Sequence, residues 1–307
     1  MLISVVIPTF QRPDSLAACL ECLERQRLAR GEFEVIVTDD EAGPAMGELF
    51  PKVKWTRGPG KGPAANRNHG ASLATGEWLA FVDDDCLPAP GWLSAIAGQK
   101  DVDVVEGKTI APGAKDSPFE ERVENLRGGS YWSCNLAVRR EVFERLGGFD
   151  EDFLEPGGED MEFAWRIATN NLYTRFVPGA LVEHPPRAIT WKQIWRRTWL
   201  IRWIVLYLLK TGQTAPLRAS WITVVVSAVK REVAGLLRTS LRFFTEFDAK
   251  LWRTRLFQQW WRWVTFPLVL PWLLVWEIRF RLMLRHAADK ANAPGAKANA
   301  PDAKAKE

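Results

Sequence analysis

Residues 77–92 read EWLAFVDDDCLPAPGW, and the three consecutive aspartates in this stretch decide how the fold is interpreted. Five apolar residues lead directly into Asp83, Asp84 and Asp85, and no Lys or Arg lies within six residues on either side. Clustered carboxylates at the end of a buried strand are tolerated where a divalent cation with oxygen ligands binds. The alternative is an acidic turn that closes the strand, because Asp favours turns and is depleted from strands.

The segments around this stretch alternate between strand and helix patterns. Strands are predicted at LISVVIP (2–8), FEVIVTDD (33–40), KVKWTR (52–57) and EWLAFVDDD (77–85). Helices are predicted after a cap at Asp14 and at GPAANRNHGASLATG (62–76), with Gly76 just past the helix end. Buried strands separated by helices predict a mostly parallel sheet with helices on both faces. Ligands bind beyond the carboxyl ends of such strands, where both acidic clusters, 39–40 and 83–85, fall. This placement favours a binding site.

The composition is that of an ordinary globular protein with free thiols. The 307 residues allow one large domain or two smaller ones, with 47% hydrophobic and 25% charged residues. The four cysteines include one C-x-x-C pair, Cys19 and Cys22, inside a helix pattern, which favours structural thiols in a reducing compartment. The opening MLISVVIPTF lacks the basic start and cleavage site of a signal peptide and predicts a strand instead.

Charge and tryptophan divide the chain into two regions. Residues 1–186 hold 19 Lys and Arg against 30 Asp and Glu, whereas residues 187–285 hold 18 against 4. Eleven of the 16 tryptophans lie between Trp191 and Trp276. We therefore expect an acidic domain at 1–187, a basic helical region at 188–286, and a low-complexity, disordered tail at 287–307.

Five motifs, in order along residues 1 to about 187, resemble those of the family-2 glycosyltransferases with the GT-A fold. They are SVVIPTFQRPDSL, VIVTDDEA, GPAANRNHGASLATGEWLAFVDDDC, SCNLAVRREVFERLGGFDEDF and GGEDMEFAWRIATNN. The resemblance implies an α/β fold of the GT-A type, a Rossmann-like, mostly parallel sheet flanked by helices. It also implies sugar transfer from a nucleotide diphosphate to an acceptor hydroxyl, with inversion at the anomeric carbon and Mn²⁺ or Mg²⁺ as the cofactor.

The resemblance assigns metal and diphosphate roles to the aspartate cluster. Sugar transfer requires the leaving diphosphate to be neutralised, a task for a divalent ion. Asp85 is expected to contact the metal, and Asp83 the ribose or the metal shell. Asp84 is a further candidate donor-binding residue, although its side chain should point the other way along an extended segment. His184 is a candidate third metal ligand, and neutral imidazole suits Mn²⁺ better than Mg²⁺.

Three other segments are expected to bind the nucleotide. Pro8 and Thr9 match the backbone edge that lines the base pocket, and Asp39 matches the position that hydrogen-bonds the base. A carboxylate there can accept the N3–H of uracil or thymine, which suits a pyrimidine donor. We expect a UDP-sugar, with dTDP- and GDP-sugars as the alternatives. Arg67 and Asn68 belong to an NRN motif whose Arg faces the nucleotide. The alternative for Arg67 is a surface arginine on a helix.

The catalytic base and the acceptor segment come later in the chain. An attacking hydroxyl must lose a proton, and Glu159 and Asp160 match an E-D motif in which Asp160 is the general base. The alternative is that Asp160 caps the following helix, and both roles are compatible. Gly129 and Trp132 lie in GGSYWSCN, which resembles the segment beneath the acceptor and the donor sugar. A core position is the alternative for Trp132.

The sequence departs from the common family motifs at two places, one in the donor pocket and one that bears on processive synthesis. The usual D-D-G-S is here DDEA, which alters the rim of the donor pocket. Processive synthases carry Q-x-x-R-W, whereas this chain has Gln193, Arg196 and then Arg197 in place of the tryptophan. A single-sugar transferase is therefore favoured.

The basic region has the pattern of a membrane-surface segment. In WKQIWRRTWLIRW, four tryptophans recur at four-residue steps with cations on their flanks. The longest uncharged run, residues 263–276, has 14 residues and two prolines, which is short for a membrane-spanning helix of about 20 residues. Packing on the first domain and nucleic-acid binding are the alternatives, but runs this aliphatic do not suit a solvated groove.

We therefore expect an anionic membrane surface and no nucleic acid among the partners. This predicts a peripheral or monotopic protein on the cytoplasmic face of the bacterial inner membrane, with a lipid-linked acceptor such as a polyprenyl-diphosphate glycan. Two other function classes stay open: a nucleotidyltransferase, which would release pyrophosphate, and a membrane-bound scaffold with a vestigial site. Intact Asp39, Asp83, Asp85 and Asp160 favour an enzyme over the scaffold.

Overall fold

The computed structural model describes residues 2–41, 50–113, 120–188, 190 and 201–213. The strands in these ranges are β1 (Ile3–Thr9), β2 (Phe33–Asp39), β3 (Lys54–Arg57), β4 (Trp78–Phe81), β5 (Leu87–Pro88), β6 (Val104–Ile110), β7 (Glu120–Glu121), β8 (Leu136–Arg139), β9 (Thr174–Glu183) and β10 (Arg187–Ala188). The helices are α1 (Pro13–Glu24), α2 (Pro63–Ser72), α3 (Trp92–Ala97), α4 (Arg140–Leu146), α5 (Glu159–Thr169) and α6 (Ile201–Lys210).

Eight strands form one twisted sheet in the order β3-β2-β1-β4-β8-β6-β9-β5. The pairings make β3, β2, β1, β4, β6 and β9 run in one direction, with β8 and β5 reversed. Strands β7 and β10 form a separate antiparallel pair. The predicted α/β class and mostly parallel sheet are confirmed, and the four predicted strands are β1 to β4.

The central strands are covered on both faces, which explains their continuous apolar runs. Every residue of β1 and of β4 is buried. One face packs on α1 and α3. The other holds four phenylalanine rings, and the centroids of neighbouring rings lie 4.7 to 5.6 Å apart: Phe81, Phe143, Phe149 and Phe163. This aromatic layer lies beneath α4 and α5 and supports the start of α5.

Two predicted helix boundaries are wrong. The N-cap of α1 is Arg12, without a side-chain capping bond, and Asp14 lies in the first turn after Pro13. Pro suits the first helical position, and an aspartate in the first turn still interacts favourably with the helix dipole. Helix α2 ends at Ser72 rather than near Gly76. A Cβ on Gly76 would lie 2.7 Å from the Leu2 carbonyl oxygen, so this glycine serves a close approach to β1.

The compact unit that contains the sheet extends beyond residue 187 and includes α6. Trp203 of α6 is 7% exposed and packs on Phe153, so this member of the tryptophan stripe adopts the alternative of packing on the first domain. The predictions for Trp191, Trp195 and Trp199, for residues 263–276 and for the tail at 287–307 lie outside the described residues. Each of the described helices is too short or too polar to cross a bilayer.

Candidate active site

The sheet brings the predicted acidic residues to one edge. Thr9 and Asp39 are paired at the carboxyl ends of β1 and β2, and Asp83, Asp84 and Asp85 follow β4 beside them. On the far side of the sheet, Leu87 of β5 pairs with Glu183 at the end of β9, and this pairing draws His184 towards the cluster. Parallel strands thus collect residues that are up to 175 positions apart at one edge.

Arg67 links the aspartate cluster to the candidate base. Its side chain lies on α2 and is 6% exposed, which rules out the surface-arginine alternative. One terminal nitrogen lies 2.7 Å from Asp83 Oδ1 and the other 3.3 Å from Glu159 Oε1. Burial alone would raise the pKa of Asp83, but the charge and hydrogen bond of Arg67 lower it. Asp83 is therefore held ionised, facing Arg67.

The predicted alternation along an extended segment is wrong, because residues 84 and 85 lie in a turn and both carboxylates pair with Arg12 Nη1. Asp84 nevertheless contacts other groups than Asp83 does. It is buried, accepts a hydrogen bond from the Thr9 hydroxyl at 2.8 Å, and pairs with Arg12 at 3.1 Å. Burial raises the pKa of Asp84 to about 6, although Arg12 and the Thr9 hydroxyl act in the opposite direction. These contacts fasten the aspartate loop to β1. They leave the carboxylate directed at protein groups rather than at the donor that we predicted for it.

Asp85 faces His184 and two arginines. Its Oδ1 lies 3.6 Å from His184 Nε2, and its Oδ2 accepts hydrogen bonds at 2.8 Å from both Arg12 and Arg187. The side chains of Asp85, Cys86 and His184 offer ligand atoms that lie within 4.8 Å of one another. A carboxylate and a buried imidazole at this spacing fit a divalent ion such as Mn²⁺.

The thiol is a poor third ligand. A hydrogen bond with Cys134 and burial raise the pKa of Cys86 well above its usual range, and sulfur is a softer ligand than Mn²⁺ or Mg²⁺ prefers. Asp83, predicted to join the metal shell, contacts Arg67 instead in this structure. Asp85 and His184 are therefore the protein groups that would hold the ion.

Glu159 and Asp160 are the first two residues of α5, and Gly158 is its N-cap, so the capping alternative for Asp160 is wrong. Glu159 is buried and its Oε2 accepts the N–H groups of Gly157 and Gly158 at 2.9 and 3.0 Å. With its other oxygen on Arg67, Glu159 has the contacts of a residue that anchors the loop and the arginine.

Asp160 has the properties of a proton acceptor. Its Oδ1 is buried and has no hydrogen-bond partner among the described residues. Burial and the neighbouring Glu159 raise the pKa of Asp160 to about 7, although Arg67 and the Ser133 hydroxyl act in the opposite direction. A carboxylate with a free acceptor atom and a pKa near neutrality can take a proton from a bound hydroxyl.

The predicted base pocket has a further polar residue that sequence reasoning missed. Asn66 is buried, and its Nδ2 donates to the carbonyl oxygens of Thr38 at 3.0 Å and Thr9 at 3.5 Å. It thereby holds α2 against the ends of β1 and β2, where Pro8 and Asp39 lie. The NRN motif drew attention to this segment, but a helical Asn is usually exposed, so nothing in the sequence singled it out.

Asn68 follows Arg67 on α2, but its side chain contacts residues 149 and 151. Its side-chain amide donates to the Phe149 carbonyl oxygen and accepts the Phe149 N–H, both at 2.8 Å. Nδ2 also lies 3.0 Å from Glu151 Oε1. These contacts fasten α2 to the chain before α5 and occupy the polar atoms that we predicted would face the nucleotide.

The predicted acceptor segment is shaped by Glu106, a second residue that the sequence did not reveal. The buried Glu106 carboxylate accepts N–H bonds at 2.6 to 2.7 Å from Gly129, Ser130 and Tyr131. Gly129 itself is exposed and has φ +93°, a conformation that suits glycine. Trp132 is half-buried and packs on the core, so both interpretations of this residue keep some support.

Family models match the chain over the whole of this site. Residues 4–120 match glycosyl transferase family 2, and residues 119–186 match the N-terminal domain of galactosyltransferase.

Curated relatives are also glycosyltransferases. The chain is 29% identical over 220 residues to validoxylamine A glucosyltransferase of Streptomyces hygroscopicus, covering 56% of this chain and 52% of that protein. It is 27% identical over 212 residues to pre-mycofactocin glycosyltransferase of Mycobacterium tuberculosis, covering 60% of this chain and 43% of that protein. The chain thus spans about half the length of the curated relatives it matches.

Solved structures share the fold at lower identity. S. aureus TarS 1-349 in complex with UDP-GlcNAc gives a TM-score of 0.51 at 21% identity, covering 68% of this chain and 67% of that one. The structure of GalNAc-T7 with UDP, GalNAc and Mn²⁺ gives a TM-score of 0.51 at 20% identity, covering 62% of this chain and 44% of that one. The likeness shows the GT-A fold. Residues 4–120, which match glycosyl transferase family 2, include the motifs that gather Asp39, Arg67 and Asp83 at the edge of this sheet.

Proposed function

We propose that this chain transfers a single sugar from a nucleotide-diphosphate sugar to an acceptor hydroxyl, with inversion at the anomeric carbon. The observation that carries the proposal is the line of charged groups from Asp85 through Asp83 and Arg67 to the start of α5, where Asp160 lies. One end of this line suits a cation and the other suits a proton acceptor. A sugar transfer that displaces a diphosphate needs both.

A UDP-sugar is the favoured donor. Asp39 lies at the end of β2 beside Pro8 and Thr9, where a carboxylate can accept the N3–H of uracil. The nucleotide sugar named for the TarS structure, UDP-GlcNAc, belongs to the same class. We propose that the base binds at this end of the sheet and that the diphosphate extends towards Asp83 and Asp85.

The metal would be held by Asp85 and His184. When bound, a divalent ion supplies positive charge that neutralises the departing diphosphate. Mn²⁺ is favoured over Mg²⁺ because imidazole is a ligand that Mn²⁺ accepts more readily. GalNAc-T7 was solved with Mn²⁺, which agrees with this preference.

Asp160 would remove the proton from the attacking hydroxyl. Its unpartnered Oδ1 can accept that hydrogen bond, and its raised pKa makes the carboxylate basic enough to take the proton. Glu159 and Arg67 would hold the base in place. Attack from the side opposite the leaving diphosphate inverts the anomeric carbon.

A panel of nucleotide sugars tests the activity. We expect Mn²⁺-dependent release of a nucleoside diphosphate from one or a few donors by the full chain, and loss of this release in Asp160→Asn. Release of pyrophosphate would indicate a nucleotidyltransferase instead. Inactivity towards the whole panel, with and without lipid-linked acceptors, would support the scaffold.

We further propose a lipid-linked glycan acceptor at the cytoplasmic face of the bacterial inner membrane. The support is the basic, tryptophan-rich composition of residues 187–285, which suits an anionic lipid surface. Flotation of the full chain with vesicles tests this: vesicles with anionic lipid should carry the protein, and neutral vesicles should carry less. Equal flotation, or none with either, would contradict the proposed membrane contact.

A further inference from the structure

Helix α6 packs on the chain immediately before the candidate base. The Trp203 ring lies 6.0 Å from the Phe153 ring, centroid to centroid, and Trp203 is 7% exposed. A Cβ added to Gly158 would lie 3.1 Å from Trp203 Cβ and 2.4 Å from Phe153 Cε1. The N-cap of α5 is therefore enclosed between the two aromatic side chains, without space for a larger residue.

The far end of α6 makes a second contact with the same segment. The Lys210 ammonium group pairs with the carboxylates of both Asp150 and Asp152. Burial alone would lower the pKa of Lys210, but its hydrogen bonds with these two aspartates raise it. A lysine that joins two carboxylates two positions apart fixes the shape of the loop between them.

The inner side of the loop is fastened independently. The Asn68 side chain holds both backbone groups of Phe149, and the Glu159 carboxylate holds the N–H groups of Gly157 and Gly158. Residues 150–158 are thus held by contacts with α2 and α5 on one side and with α6 on the other. Because Asp160 is the second residue of α5, a displacement of this loop moves its carboxylate.

We propose that Trp203 and Lys210 are positioning residues that hold the Asp160 carboxylate in place by bracing residues 150–158 from outside. The inference rests on the proposed function, because it takes Asp160 to be the base. Trp203 contacts Phe153, and Lys210 contacts Asp150 and Asp152, so both residues act on Asp160 through the loop. Helix α6 lies beyond residue 186, where the family matches end, so neither family model includes the brace.

Substitutions at two positions of the full chain test the brace. Lys210→Met keeps the aliphatic stem and removes the charge, and Lys210→Arg restores a cation. Trp203→Ala removes the packing on Phe153, and Trp203→Phe keeps a ring. Ile204→Ala on the same helix is the control, because Ile204 is 43% exposed.

Three quantities are measured: hydrogen exchange of the loop, kcat, and the affinity for UDP. We expect faster deuterium uptake in residues 150–160 and a kcat lowered about 10-fold or more in Lys210→Met and Trp203→Ala, since small misplacements of a catalytic group have large effects on rate. UDP affinity in the presence of Mn²⁺ should stay within about twofold, because the donor contacts lie elsewhere. Lys210→Arg, Trp203→Phe and Ile204→Ala should resemble the wild type.

A double substitution checks the route of the effect. In Asp150→Asn/Asp152→Asn, adding Lys210→Met should lower kcat no further, because the partners of the lysine are already gone. Unchanged loop exchange in Lys210→Met and Trp203→Ala would overturn the brace, whatever the activity. Parallel losses of kcat and UDP affinity would also overturn it, because they indicate general damage. An inactive wild type that still shows the exchange difference would contradict the proposed function but support the brace.

Discussion

Replacing Arg67 with Met should destabilise the fold by about 3 kcal/mol. Met keeps an unbranched apolar stem but removes the guanidinium group, which lies 2.7 Å from Asp83 and 3.3 Å from Glu159. Removing one partner of a buried ion pair costs about 3–5 kcal/mol. The Asp83 side chain is 28% exposed and can be rehydrated, whereas that of Glu159 is 4% exposed, so we expect the lower end of this range.

A second substitution locates the origin of the loss. The double variant Arg67→Met/Glu159→Gln removes the carboxylate that the first change leaves buried without its partner. It should recover about 1–2 kcal/mol relative to Arg67→Met, because neighbouring charges in one network do not contribute additively. The matched control Arg67→Met/Asp83→Asn should recover less, since water can reach Asp83.

Urea unfolding of the full chain, followed by tryptophan fluorescence, measures these differences as shifts of the midpoint at constant slope. The reasoning would be refuted if Arg67→Met unfolded at the wild-type midpoint. It would also be refuted if both double variants were at least as unstable as the single variant. The carboxylate left buried without Arg67 would then not be the cause of the lost stability.

Three further predictions concern the acidic residues. Asp160→Asn should lower kcat by about 10²–10⁴-fold, with UDP affinity by calorimetry nearly unchanged; parallel losses would indicate a structural role. In the wild type, kcat/KM should rise with pH through about 7, because the base must be ionised and burial and Glu159 raise the pKa of Asp160 to about 7; a flat profile from about pH 5.5 to 8.5 would contradict this. Burial raises the pKa of Asp84 to about 6, so its contribution to stability is complete below about pH 4 and is lost as pH rises through 6. The free energy of unfolding of Asp84→Asn, relative to that of the wild type, should therefore rise by about 2–3 kcal/mol between about pH 4 and pH 8. A difference that does not change with pH would show that burial of the charge is not the cause.

The central strands were predictable because they are buried on both faces. The runs that became β1, β2 and β4 are apolar almost without interruption, as parallel strands require. The outer half of the sheet was not predicted from the sequence. Strand β6 contains Glu106, Gly107 and Lys108. The Asn125 amide and the N–H groups of residues 129–131, which are distant in sequence, explain why a carboxylate is buried there.

The site was predictable where residue type and strand end coincide. Asp83, Asp85, Asp160 and Arg67 come together because they lie at the edge where several parallel elements meet. The actual contacts of Asn68 and Glu159 could not be inferred, because both bind backbone groups that only the tertiary structure brings near. Asn66 and Glu106 were missed for the same reason, since a polar residue in a helix or strand is normally solvated.

Calorimetric titration of UDP into the full chain tests the central claim most directly. With Mn²⁺ present, the wild type should bind UDP, and both metal removal by EDTA and Asp85→Asn should abolish or strongly weaken binding. UDP binding that is equally tight with Mn²⁺, with EDTA and in Asp85→Asn would contradict the claim that this sheet edge holds a metal and a diphosphate. The absence of any binding by folded wild-type protein would contradict it as well.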